Sequence, residues 1–237
     1  MTLGSYVVLS GTLLAQSTSI PTDLTLEGLK GRVKGIDEET ATVVTKNGVT
    51  KETNRHRTRT MAFDEHGRIT YEWIAISDLR PFQHQYDYDK DGRQLRRTSR
   101  QGGPDDNRSI QTSLKTYRFE PSKRILFVNE YRGDQVDPKT LRQIYEYHFD
   151  ENGRISEHVT RDSKNGEVFR RAYNYDPQLI LNEERLSMAS NPVGQIFAYE
   201  NTPDALGNWI RRVSQMTILK SGENRTEVIY RKISYRK

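Results

Sequence analysis

No cysteine occurs anywhere in the 237 residues. Disulfides, thiolate zinc sites, iron–sulfur clusters, thiol catalysis and a lipid-anchored cysteine are thereby excluded. Hydrophobic residues are scarce at 33%, which is low for a thick core buried on both sides. Long apolar runs are almost absent. The one exception, Tyr6 to Ala15, is too short to cross a bilayer as a helix and has about the length of a signal-peptide core. Leu13-Leu14-Ala15 followed by Gln16-Ser17-Thr18-Ser19 reads as a small-residue cleavage region, but no Lys or Arg precedes the run. The expectation is export, periplasmic or extracellular. Residues 1–19 would be a signal-like segment without a basic n-region, and 20–237 a single β-repeat domain.

Chemical signatures are missing as well. There is no Gly-x-Ser-x-Gly elbow, phosphate loop, dinucleotide fingerprint or His-Glu-x-x-His. The five histidines (His56, His66, His84, His148, His158) show no ligand spacing. Asp87-Tyr88-Asp89-Lys90-Asp91-Gly92 matches the front of a calcium loop, but an EF-hand needs a Glu six residues past the Gly, where Thr98 stands. The sequence therefore calls for no metal and no cofactor and singles out no catalytic residue; it leans away from an enzyme. The net charge of +5, from 37 basic and 32 acidic residues, is mild. It admits an anionic partner and weighs against nucleic acid.

What the chain does contain is repetition. Phe63-Asp64-Glu65-His66-Gly67-Arg68 recurs as Tyr88-Asp89-Lys90-Asp91-Gly92-Arg93 and as Phe149-Asp150-Glu151-Asn152-Gly153-Arg154. Weaker copies start at Phe119, Tyr175 and Tyr199. Aromatic-to-aromatic spacings of 25, 31, 30, 26 and 24 residues fit two strands and two turns per unit. In each Asp-x-x-Gly, the Asp bonds its own downstream backbone and the Gly takes positive φ. Asn47-Gly48 between two β-forming runs marks an N-terminal hairpin. A period of two puts Met61, Tyr86, Tyr117, Tyr147, Tyr173 and Phe197 on the face of the motif aromatics. The residues between them are mostly polar and face the other way.

These counts predict an all-β antiparallel meander of about 14 strands built from tandem hairpin repeats. Open twisted sheets rarely exceed about 10 strands without curling, so the expectation is one long curled sheet or incomplete barrel with the aromatic face concave. The units begin at about residues 59–62. Residues 207–237, with Gly207-Asn208-Trp209 in place of Gly-Arg, are expected to form a terminal cap hairpin. Such an array behaves as a one-dimensional repeat protein.

The aromatic-x-aromatic-Asp-x-x-Gly-Arg unit resembles the YD repeats of the RHS type. Together with Leu29-Lys30-Gly31-Arg32-Val33-Lys34, Gly207-Asn208-Trp209 and Tyr230-Arg231-Lys232-Ile233-Ser234-Tyr235, it resembles a group of uncharacterised bacterial exported proteins from about residue 26 to the C-terminus. The resemblance implies fold and export. That group has no established activity, so no site residue comes from it.

Arg68, Arg93, Arg124 and Arg154 hold one position in four units. Stacked in register they would form a positive column near Tyr86, Tyr117, Tyr147 and Tyr173. That arrangement suits an extended anionic polymer, a glycan or a protein partner, because guanidinium groups meet carboxylate or phosphate and aromatic faces stack on sugars. The plainer reading pairs each Arg with its turn carboxylate or lays it over an aromatic ring. The leading functional expectation is an exported, non-enzymatic scaffold with a binding role. The alternatives are a cell-surface glycan hydrolase with a carboxylate pair in the concave face, and a nucleic-acid or polyanion binder.

Overall fold

The computed structural model describes residues 21–47, 49–75, 80–90, 94–101, 110–176, 180–189 and 191–237. The signal-like segment, Arg93 and the loop after Gln101 lie outside them. Fourteen strands follow one another: β1 (Val33–Lys46), β2 (Val49–Phe63), β3 (Ile69–Ile74), β4 (Phe82–Tyr88), β5 (Gln94–Gln101), β6 (Gln111–Glu120), β7 (Ile125–Arg132), β8 (Leu141–Phe149), β9 (Ile155–Asp162), β10 (Glu167–Tyr175), β11 (Leu181–Met188), β12 (Asn191–Pro203), β13 (Trp209–Ile218) and β14 (Glu223–Tyr235). One helical turn, α1 (Asp23–Leu26), precedes them.

Each strand pairs antiparallel with its sequence neighbours, and β14 pairs with β1 to close the barrel. The closing register runs from Val33↔Tyr235 to Thr42↔Glu227. This corrects the expectation of a curled sheet or incomplete barrel. It also corrects the terminal cap, since β13 and β14 are ordinary wall strands, and the one-dimensional array, since the two ends of the chain support each other. The physical reason is the edge. An open sheet would leave a row of unpaired N–H and C=O groups on β1 and on β14, and an even strand number lets antiparallel pairing satisfy both.

Among the described residues the Asp-x-x-Gly turns lie on one rim. Asp64 Oδ1 accepts from the backbone N–H groups of His66 and Arg68, both at 2.9 Å, while Gly67 takes φ +76°. Asp150 repeats the arrangement with Asn152 and Arg154, and Asp204 with Leu206 and Asn208. The unit at Phe119 turns differently. There Arg124 itself takes the left-handed conformation, at φ +54°.

Direct cross-strand partners share a face, so the registers assign inside and outside. Met61 faces Glu72, Tyr86 faces Arg97, Lys115 faces Glu130, Tyr147 faces His158, Tyr173 faces Glu184 and Glu38 faces Arg231. These positions point inward, together with most of the buried residues. Fourteen strands at about 4.8 Å spacing and a tilt of about 40° give a circular barrel roughly 14 Å in radius. Wall side chains alone do not fill such a lumen. The segment before β1 enters it. Leu24 packs on a cluster around Met61, Phe63 and Ile69, and Leu26 on a second around Leu126, Val128 and Phe149. Leu24 N–H donates to the Gly67 carbonyl at 3.1 Å, and Asp23 accepts from Ile69 N–H at 2.9 Å and from the Tyr88 hydroxyl. The lead-in is therefore a plug at the motif rim.

The outer surface is ionic. Outward-facing Arg55 pairs with Glu39 at 2.6 Å, Arg161 with Glu146 at 2.7 Å, and Arg185 with Glu183 at 2.8 Å. Arg170 pairs with Glu157 and Glu167, and Arg211 with Glu52. A lipid-facing barrel wall instead carries an apolar band about 25 Å tall.

Candidate functional site

Between the plug and strands β9–β11, β13, β14, β1 and β2 lies a cavity of about 520 Å³. Leu26, Ile155, Leu181 and Ile229 supply apolar wall, Tyr173, Tyr175 and Trp209 aromatic wall, and Arg59, Arg154, Arg212 and Arg231 charge. Gly153, Gly207 and Lys30 also line it; all three belong to the motif rim, so the cavity's mouth is at that rim.

Period-two geometry brings the arginines inside. Arg59-x-Met61-x-Phe63 and Arg231-x-Ile233 alternate with outward residues, and Glu38 faces both Arg59 and Arg231 across its two neighbouring strands. Arg231 donates to Glu38 Oε1 from Nε at 2.9 Å and from Nη2 at 2.6 Å. Arg59 forks onto Glu27, at 3.1 and 2.8 Å, and reaches Glu72 at 2.6 Å. Burial alone would raise the Glu27 carboxyl, but the Arg59 charge overrides it and holds Glu27 below its ordinary value. Burial likewise opposes the Arg59 charge, and Glu27 and Glu72 reverse that effect.

Arg212 is different. Its Nε donates to Asn201 Oδ1 at 2.7 Å, and its guanidinium lies over Tyr199 at 4.4 Å and Trp209 at 4.2 Å. Among the described residues no carboxylate is within ion-pair distance. Burial lowers its pKa to about 10, and nearby Arg231 pushes the same way. Arg231 lies over the same Trp209 ring at 3.6 Å.

The residues singled out in the sequence separate here. Arg154 and Tyr173 line the cavity. Arg154 is held by Asp150, with Nε at 2.7 Å, and stacks over Tyr175 at 4.2 Å. Arg68 does the same with Asp64 at 2.8 Å and Tyr88 at 5.1 Å, in the adjoining part of the rim. Arg124 sits in a left-handed turn position, and Arg93 lies outside the described residues. Tyr86 donates to Glu72 at 2.6 Å. Tyr117 packs into the second cluster. Tyr147 stacks on His158 with centroids 4.4 Å apart. The expected binding surface thus resolves into wall packing plus two cavity residues. Arg59, Trp209, Arg212 and Arg231 were not anticipated; the signal was an arginine at an inward step of an alternating strand. Among the described residues no group of three or more His, Asp or Glu could hold a metal ion, and no helix is long and apolar enough to cross a membrane.

No family model matches the chain, and no curated protein matches it. Solved structures similar to it include two porin-like proteins. One is a porin-like protein from Bacteroides vulgatus, 13% identical, covering 87% of this chain and 99% of that one at a TM-score of 0.42. The other is a porin-like protein from Bacteroides uniformis, 12% identical, covering 85% and 96% at a TM-score of 0.41. The resemblance to YD and RHS repeat proteins is corrected by these findings. No family model of such repeats matches, and the units are hairpins of one closed barrel. The shared aromatic-Asp-x-x-Gly pattern reflects turn chemistry that any barrel of tight hairpins can use.

Proposed function

We propose that the protein is an exported, non-enzymatic binding barrel that holds a small molecule in its lumen at the motif rim. The observation that supports this most directly is the 520 Å³ cavity. Its size falls within the range of about 300–1,000 Å³ common for small-molecule sites, and its wall is the usual apolar and aromatic lining with a few polar groups. A scaffold binding a long polymer along a column of arginines has less support, because Arg68 and Arg154 are already held by their turn aspartates.

A hydrolase is disfavoured by the two carboxylates lining the cavity. Glu27 and Glu38 are both ion-paired with arginine, and Glu27 is held in its ionised form, whereas a glycosidase needs one carboxyl kept protonated. A membrane channel is disfavoured by the ion pairs around the outer wall.

The test is a titration of the detergent-free protein with anilinonaphthalene sulfonate, read by energy transfer from tryptophan. Saturable binding of about one probe per barrel that disappears in Ile229→Trp, which fills the cavity, is expected. Non-saturating binding, or binding indifferent to that substitution, would overturn the reading. Discrete conductance steps in planar bilayers would replace it with a channel.

A further inference from the structure

We propose that the cavity recognises the carboxylate of an apolar organic monoacid, with Arg212 and Arg231 beside Trp209 as the headgroup subsite. This rests on the lumenal-binding reading and names its ligand class.

The charge pattern argues for a single negative charge. Arg59 is matched by Glu27 and Glu72, Arg154 by Asp150, and Arg231 by Glu38. Arg212 alone among these arginines has no carboxylate partner among the described residues, although burial works against its charge. Exposed Lys30 at the mouth is free to be neutralised by solvent ions.

Hydrogen bonding argues for an acceptor at this place. Arg231 is 7% exposed. Its Nε and Nη2 both go to one oxygen of Glu38, and Nη1 is buried without a partner. Buried donors in folded proteins are almost always satisfied, so an orphaned one in a cavity wall marks where a ligand acceptor fits. Arg154 presents a second, with Nη1 buried and unpartnered. A guanidinium fork matches the planar carboxylate geometrically.

The remaining wall argues for the body of the ligand. Leu26, Ile155, Leu181 and Ile229 offer no hydrogen bonds and accept hydrocarbon. A free phosphate would leave that wall against a hydrated dianion and would bring more charge than Arg212 balances.

The experiment compares decanoate, decanol and inorganic phosphate as competitors of anilinonaphthalene sulfonate at pH 7.5. It uses wild type, Arg212→Gln, and the charge-balanced double variant Glu38→Gln/Arg231→Gln. Arg118→Gln on the outer wall controls for net charge. Wild type should bind decanoate at least about tenfold more tightly than decanol, from one to two charge-assisted hydrogen bonds. Arg212→Gln should lose that preference while keeping decanol affinity, and the double variant should weaken it. Because the subsite is buried, the preference should survive 0.5 M salt. Equal affinity for acid and alcohol, or a preference intact in both variants, would overturn the headgroup and leave lumenal binding standing. Phosphate competing better than decanoate would overturn the monoacid. Failure of every competitor to displace a lumenally bound probe would overturn the monoacid, and absence of saturable probe binding would take down the lumenal reading too.

Discussion

Asn208 stands where earlier units carry the motif arginine, and its replacement by alanine is the sharpest test of how the barrel is held shut. Asn208 is 1% exposed. Its Oδ1 accepts from Lys30 N–H at 2.6 Å, and its Nδ2 donates to the Lys30 carbonyl at 2.9 Å and to the Tyr235 hydroxyl at 2.8 Å. One side chain thus ties the plug segment to the last strand, beside the seam where β14 meets β1. Asn208→Ala leaves the Lys30 N–H and C=O and the Tyr235 hydroxyl each short of a partner. An orphaned buried group costs about 1–3 kcal/mol, and the hydroxyl keeps its bond to Asp204. The net expectation is a loss of about 3 kcal/mol, or a fall in Tm of roughly 6–12 °C for a chain of this size. Asn208→Asp should be at least as harmful. It keeps the acceptor for Lys30 N–H but turns a donor into an anion facing a carbonyl, close to Asp204. Urea denaturation measures the free energy, and amide exchange at Lys30 reports the local release. A loss below about 0.5 kcal/mol, or Lys30 protection unchanged, would refute the clasp.

Two further outcomes follow from the lumen. Glu38→Gln should cost about 3–5 kcal/mol in urea denaturation, because it leaves Arg231 buried without its countercharge; the double replacement with Arg231→Gln should recover much of that loss. His158 is held down to about 4, by burial first and by Arg171 and Lys115 next, so its folded value lies below the unfolded value near 6.5. Its neutral form therefore contributes stability that is complete above pH 6.5 and is lost as pH falls towards 4. The bound is about 3 kcal/mol, and His158→Phe should flatten the stability–pH slope across that window.

Local chemistry was legible in the sequence. The Asp-x-x-Gly turns, the Asn47-Gly48 hairpin and the strand count of about 14 rest on neighbours within a few residues. The shared face of Met61, Tyr86, Tyr117, Tyr147 and Tyr173 needs only the two-residue period. Closure was not legible, because it joins Val33–Thr42 to Glu227–Tyr235. No local pattern distinguishes an edge strand from one whose partner lies at the far end of the chain, so β13 and β14 read as a cap. The plug was missed for a related reason. Leu24 and Leu26 in a four-residue helix are too few for helical periodicity, and their partners are wall clusters distant in sequence. The arginine column rested on residue identity alone, which does not show that Arg124 takes a left-handed position or that Arg68 and Arg154 are held by their turn aspartates.

The composition also takes on a different meaning once the barrel is closed. A hydrophobic content of 33% is low for a thick core buried on both sides, and the barrel carries charge on both of its faces. The outer face is ionic, while the inner face is enclosed and still carries Glu38, Glu72, Glu130, Glu184 and Arg231, all under 10% exposed. Charges are rarely enclosed unless paired, because removing them from water is costly. Here they are paired around the ring: Arg59 with Glu72, Arg97 with Glu130, Arg171 with Glu184 and Arg231 with Glu38. A barrel selected only for stability would be served as well by leucine and phenylalanine at those steps. The paired ring instead keeps the lumen polar in defined places, and among the arginines that line the cavity it leaves Arg212 without a carboxylate partner among the described residues. An anion entering from the motif rim would meet in Arg212 a guanidinium with no carboxylate of its own among the described residues, and Arg212→Gln removes that charge while leaving the paired arginines in place.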